Sequence, residues 1–314
     1  MKLIVMTDIS ALSSEAEKAD LGDFLHLIDR AIFLFNEEKD SQAETMQILG
    51  KLVNIPPKGD AIIAGDIHGD LDSLIRILET SEFVKKAQEE EDVRLIFLGD
   101  YGDRGPYSPE VYFIVLSLRT MFPGKVVLLR GNHEGPSDLL ASPHDLPAQL
   151  YARFGDEAYK IYERMGDLFN CLYLAVLVET RYIILHGGVP SKARTAMDVA
   201  YACNKHPSEN HLEEILWSDP VEHIVGTHRS PRGAGRLFGM DVTDRFLKIF
   251  DVPMMIRGHE PVNDGYKINH EGKILTIFSR TGPPYYNQYG TYLHLDLSEE
   301  HQDAWQTTGC LKRI

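Results

Sequence analysis

The chain has 314 residues, 43% hydrophobic and 25% charged, a balance ordinary for a folded globular protein large enough to bury its own core. Its formal net charge of −15 argues against non-specific nucleic-acid binding, which needs basic surface, and its apolar runs are far too short to span a membrane. Three cysteines (Cys171, Cys203 and Cys310), odd in number and without metal-type spacing, point to a reducing, cytoplasmic setting, and the apolar run at residues 3–6 is too short for a signal peptide.

Residues 14–53 read as two helices. Ser14-x-x-Glu17 and Ser41-x-x-Glu44 have the form of capping boxes, and Leu21, Phe24, Leu25, Ile28, Ile32 and Phe35 recur at helical spacing. Residues 1–55 are thus expected to form a helical extension, closed by Pro56-Pro57, and residues 56–314 one catalytic domain. Apolar runs at 61–64, 94–98 and 126–129 read as strands, with helices predicted over 71–88 and 108–121 between them. That alternation implies parallel pairing, with ligands at the carboxyl ends of the strands. The second half is richer in consecutive strands, at 174–179, 182–185, 254–257, 266–269, 274–278 and 291–297, with Thr180-Arg181 and Glu271-Gly272 as turns. Helical patterns near 145–165, 210–216 and 243–250 cover them. The expected fold is α/β: a sandwich of two mixed β-sheets flanked by helices, with an N-terminal helical cap.

Four blocks carry the chemistry: Gly65-Asp66-Ile67-His68-Gly69-Asp70, Gly99-Asp100-Tyr101-Gly102-Asp103-Arg104-Gly105, Gly131-Asn132-His133-Glu134 and His186-Gly187-Gly188. Each follows an apolar run. Asp66 and His68, two apart at a strand end, point to the same side. Asp100 closes the next strand, where a carboxylate with two oxygens can bridge two ions. Asn132 closes the third, and His186 and His259 each follow a strand beside a glycine. Carboxylate, imidazole and amide ligands suit a pair of manganese, iron or zinc ions, and two such ions clamp an in-line displacement at phosphorus. Arg104, Arg130 and Arg257 lie in or beside these motifs and Arg232 in a further Ser230-Pro231-Arg232-Gly233 segment, a distribution expected to focus positive charge locally within an acidic chain. The other histidines, His144 among them, read as surface or packing residues.

These motifs, with Phe169-Asn170-Cys171-Leu172, Trp217-Ser218-Asp219-Pro220, Arg257-Gly258-His259 and Ile277-Phe278-Ser279, resemble the calcineurin-like metallophosphoesterases over residues 55–300. Within them they are similar to the PPP-type serine/threonine protein phosphatases. The resemblance implies that Asp66, His68 and Asp100 ligate one divalent ion and that Asp100, Asn132, His186 and His259 ligate the other. Manganese is the expected metal in vitro, with iron or zinc as alternatives. It further implies in-line attack by a hydroxide held between the ions, with His133 as general acid oriented by Asp103. Arg104, Arg232 and Asn132 would bind the phosphoryl oxygens, and the substrates would be phosphoserine and phosphothreonine in proteins. Arg232 is preferred to Arg229 and Arg236 because Ser230-Pro231-Arg232-Gly233 aligns with the family's Asn-Asp-Arg-Gly segment.

The chain departs from the family pattern at Gly102, where valine is frequent, at Asp70, where glutamine is common, and after Ser279. There a longer segment offers Tyr285 or Tyr286 as the cleft tyrosine. A dinucleoside polyphosphate hydrolase and a catalytically silent phosphoprotein scaffold are the competing readings. The Asp103-Arg104-Gly105 sequence and the complete ligand set argue for the phosphatase.

Overall fold

The computed structural model describes residues 9–39 and 41–314; the apolar run at 3–6 lies outside them. Two sheets dominate. In the smaller, the order is Leu311–Arg313, Thr291–Asp296, Asp60–Ala64, Val93–Phe97, Val126–Leu128, with the last three strands parallel. Those three are almost wholly buried, which is why they read as continuous apolar runs rather than as alternations. The larger sheet is mixed and eight-stranded. At its centre Tyr182–Leu185 runs parallel to Met254–Arg257, which runs parallel to Ile274–Ile277. Helices Ser108–Met121, Ala158–Cys171 and Met240–Phe250 flank the sheets. A short third sheet, Thr227–Arg229, Arg236–Phe238 and Asp219–Pro220, was not foreseen, because its strands have two or three residues and no usable period.

At the N-terminus the helices are Ile9–Lys18 and Leu21–Glu37. The capping box forms at Asp20 and Asp23, whereas Ser14 lies inside the first helix. Phe24, Ile28, Ala31 and Phe35 bury one face of the second helix, and Phe24 meets Phe113 and Phe154 at ring separations of 5.7 Å. The helix expected from Ser41-x-x-Glu44 is absent. Gln42–Ala43 pairs antiparallel with Met46–Leu49, where burial alternates with period two. Residues 1–55 are therefore not helical throughout: Leu52–Ile55 lies parallel to Ala175–Val178, so residues 42–55 supply three strands of the larger sheet. The helix expected over 71–88 is broken into Leu71–Ser81 and Phe83–Gln88 by Glu82, whose φ of +54° no right-handed helix accommodates.

Candidate metal centre and active-site cleft

The loops that follow strands Asp60–Ala64, Val93–Phe97, Val126–Leu128, Tyr182–Leu185 and Met254–Arg257 meet where the two sheets face each other. They bring Asp66, His68, Asp100, Asn132, His186 and His259 together, each at most 4% exposed. The backbone there is strained. His68, Asp100, Asp103, Arg104 and His259 all have φ between +47° and +72°, at about 1–3 kcal/mol each for side chains with a Cβ. Such conformations persist only where surrounding packing over-determines them.

The donor atoms fit a pair of cations. Asp66 Oδ2 and Asp100 Oδ2 lie 3.7 and 3.5 Å from His68 Nε2. On the other side, His186 Nε2 lies 3.5 Å from Asp100 Oδ2, 3.0 Å from Asn132 Oδ1 and 3.2 Å from His259 Nδ1. Asp100 thus belongs to both clusters, one with His68 and one with His186 and His259. His68 and His186 donate Nδ1–H to the carbonyls of Gly102 and Leu98, each at 2.9 Å. A carbonyl only accepts, so the proton sits on Nδ1 and the Nε2 lone pair faces the cluster. Asp66 Oδ2 is buried and has no hydrogen-bond partner. The other Asp66 oxygen accepts the His259 N–H at 2.9 Å, and a Cβ on Gly258 would stand 2.5 Å from it. An orphaned carboxylate oxygen facing imidazole lone pairs is a donor set that fits divalent ions.

Charge balance leads to the same result. Burial, joined by Asp66 and Glu134, pushes the Asp100 carboxyl well above the carboxylate range, and burial raises Asp66 as well. Burial likewise holds His68, His186 and His259 well below the ordinary imidazole value, hence neutral. Burial thus disfavours charge on carboxyls and imidazoles alike, and bound divalent cations would supply the positive charge that lets Asp66 and Asp100 ionise.

His133 sits at the edge of this cluster, its ring centroid 4.7 Å from that of His68. Its Nδ1 lies 2.6 Å from Asp103 Oδ2. Burial alone would raise Asp103, but hydrogen bonds from His133 and His144 outweigh it and hold the carboxyl well below the carboxylate range. A cavity of about 250 Å³ opens over the cluster, lined by Asp66, His68, Asp100, Asn132 and His133, by Arg104 and Arg232, and by Trp217, Phe278 and Tyr285. Arg232 is presented by the loop between Thr227–Arg229 and Arg236–Phe238, and its Nε donates to Asp219 Oδ2 at 2.6 Å. Arg229 and Arg236 are outside the cavity wall. Asp219 also accepts from Arg257 at 2.9 Å, so one carboxylate anchors two arginines.

The departures from the family pattern have local causes. Tyr285 stacks on His68 at 5.6 Å and lines the cleft, whereas Tyr286 is 76% exposed. Arg280 lies 5.4 Å from the Tyr285 ring and donates to the His68 carbonyl at 2.6 Å, tying the longer loop to the candidate metal cluster. Asp70 caps helix Leu71–Ser81 through the Ser73 N–H and accepts the Thr281 N–H at 3.1 Å, which fastens the same loop. Gly102 makes room for Tyr112: a Cβ there would stand 2.8 Å from the tyrosine ring. Gly102→Val is therefore expected to destabilise by about 1–3 kcal/mol in denaturant unfolding, through overpacking. Unchanged stability would mean that Tyr112 moves aside at no cost.

Three contributors escaped the sequence reading. Glu134 is fully buried and accepts the N–H groups of Asp100 (2.8 Å), Tyr101 (3.1 Å) and Gly131 (3.0 Å) and the Tyr112 hydroxyl (2.6 Å), so it clamps two ligand-bearing loops together. Its place directly after Asn132-His133 was the only signal. Asp219 stood in the Trp217-Ser218-Asp219-Pro220 segment without a role, and His144 offered no signal, because their partners are remote in sequence.

A model of the calcineurin-like phosphoesterase family matches residues 61–263. A probable serine/threonine-protein phosphatase of Encephalitozoon cuniculi is 36% identical over 256 residues, 81% of this chain and 53% of that protein. The serine/threonine-protein phosphatase 4 catalytic subunit of Eremothecium gossypii is 32% identical over 219 residues, 69% of this chain and 67% of that protein. A serine/threonine phosphatase structure from Saccharomyces cerevisiae shares the fold, with a TM-score of 0.70 at 23% identity over 93% of this chain and 88% of that one. The chain spans about half the length of the Encephalitozoon cuniculi protein and of two plant serine/threonine-protein phosphatases 5 that it matches. With that family match and with candidate metal-binding side chains gathered at the strand ends, the chain belongs to the calcineurin-like phosphoesterases, in the branch that holds the serine/threonine-protein phosphatases.

Proposed function

We propose that the protein hydrolyses phosphoserine and phosphothreonine in proteins, using two divalent ions. The observation that carries this reading is the His133–Asp103 pair at 2.6 Å, beside the metal cluster and in a cleft that also holds Arg104 and Arg232. A seryl or threonyl oxygen is a poor leaving group, and a carboxylate-bound imidazole is the group that supplies its proton. Asp66, His68 and Asp100 would hold one ion, and Asp100, Asn132, His186 and His259 the other. When bound, the ions polarise the phosphoryl group and generate the nucleophile from water.

The remaining work belongs to the side chains. Arg104 and Arg232 bind phosphoryl oxygens through planar guanidinium forks, joined by the Asn132 amide. Asp219 keeps Arg232 aimed at the cleft. With Nδ1 engaged by Asp103, His133 uses Nε2 to protonate the departing alkoxide. The oxygen and nitrogen donor set favours manganese in vitro, with iron or zinc as alternatives. We place the protein in the cytoplasm, a setting consistent with three unpaired cysteines. No described helix is long and apolar enough to cross a membrane.

The test offers the Mn²⁺-loaded protein a phosphoserine peptide, diadenosine tetraphosphate, single-stranded DNA and an aryl phosphate. Turnover of the peptide and the aryl phosphate is expected. Cleavage of the dinucleotide without the peptide would replace the phosphatase by a polyphosphate hydrolase, and no turnover at all would leave a phosphoprotein-binding scaffold.

A further inference from the structure

We propose that His144 is a positioning residue for the proton donor: it shares one oxygen of Asp103 with His133 and thereby fixes the acid in place. The inference rests on the phosphatase reading, in which His133 protonates the leaving group. A carboxylate offers about four lone-pair sites, two on each oxygen. In Asp103 all four are used. Oδ1 accepts the N–H groups of Asp145 (2.9 Å) and Leu146 (2.7 Å), and Oδ2 faces His133 Nδ1 (2.6 Å) and His144 Nδ1 (2.7 Å). A carboxylate so filled cannot rotate without breaking a bond, so its plane, and with it the His133 ring, has one orientation.

Three of those four donors come from one short segment, residues 144–146, which leads into helix Leu146–Phe154. His144 is itself fastened from behind. Its Nε2 lies 2.9 Å from the Tyr162 hydroxyl, carried on helix Ala158–Cys171. The same segment steadies the phosphate-binding arginine: Asp145 Oδ1 accepts the Arg104 N–H at 3.0 Å, and the Ser142 carbonyl accepts Arg104 Nη2 at 2.8 Å. Without His144, Asp103 Oδ1 keeps its two N–H partners but Oδ2 keeps only His133, so the carboxylate plane, and the ring it orients, is held less tightly. The chemistry then loses where a proton must be delivered, and much less where none is needed.

The experiment compares kcat on a phosphoserine peptide with kcat on an aryl phosphate whose phenolate leaves unaided, in the Mn²⁺-loaded protein. His144→Leu is expected to lower kcat on the peptide about 10–10²-fold, with KM nearly unchanged, and to lower kcat on the aryl phosphate less than about 3-fold. His144→Asn, whose amide can reach Asp103 from the position of Nδ1, should restore most of the loss. Tyr162→Phe should show the same peptide-selective loss in weaker form, and it keeps the test alive should the leucine variant not fold. Equal losses on both substrates, or no loss on either, would overturn the His144 assignment alone. Wild-type protein that turned over the aryl phosphate but not the peptide would overturn it together with the phosphatase reading.

Discussion

Asp100→Asn is expected to strip the protein of both divalent ions and to lower kcat by at least about 10³-fold, equivalent to roughly 4 kcal/mol of lost transition-state stabilisation. Asp100 belongs to both donor clusters, with Oδ2 at 3.5 Å from His68 Nε2 and from His186 Nε2. An asparagine keeps the oxygen that accepts the His133 N–H at 2.9 Å, so the loop retains its backbone hydrogen bond. What it loses is charge and one of the two ligating oxygens, replaced by an amide NH2 that has no free lone pair for a cation. Metal content by atomic emission, read beside denaturant stability, separates the outcomes. A variant that still held one ion tightly would show that Asp100 does not bridge the pair.

The second large effect concerns the acid. His133→Asn should lower kcat on a phosphoserine peptide about 10²–10⁴-fold, while an aryl phosphate with a stable phenolate loses far less. The asparagine amide can still donate to Asp103 from the position of Nδ1, so the loop is held, but nothing stands where Nε2 delivers its proton. Steady-state kinetics on both substrates decides the point, and losses of equal size would remove His133 from the acid role. The effect should exceed that of His144→Leu. The first variant deletes the donor, and the second only loosens the carboxylate that aims it.

Much of the architecture was legible because it rests on local pattern. Strands such as Tyr182–Leu185, Met254–Arg257 and Tyr266–Asn269, and helix Ser108–Met121, have the bounds their residues imply. Long apolar or periodic runs leave the backbone few alternatives that bury the same side chains. The reading failed where runs are short. Ser41-x-x-Glu44 satisfies a helix-capping pattern, yet Met46–Leu49 alternates with period two, and pairing with Leu52–Ile55 buries Met46 and Ile48. Tertiary burial there overrides a local signal worth a kilocalorie or so. Glu82 likewise ended a helix that periodicity alone would have continued.

The ligand positions follow a similar division. Each of Asp66, His68, Asp100, Asn132, His186 and His259 follows an apolar run that reads as a strand and forms one, so its place beyond a strand end was readable from the chain alone. The convergence of two sheets is what brings those ends within a few ångströms. Which tyrosine enters the cleft, which arginine lines it, how Glu134 locks two loops, and how His144 comes to share a carboxylate with His133 were all decided in three dimensions. The physical reason is that residue type and spacing act over a few neighbours. A hydrogen bond such as the one between His144 and Asp103, 41 positions apart, exists only after the core has packed and left those groups no water to bind instead.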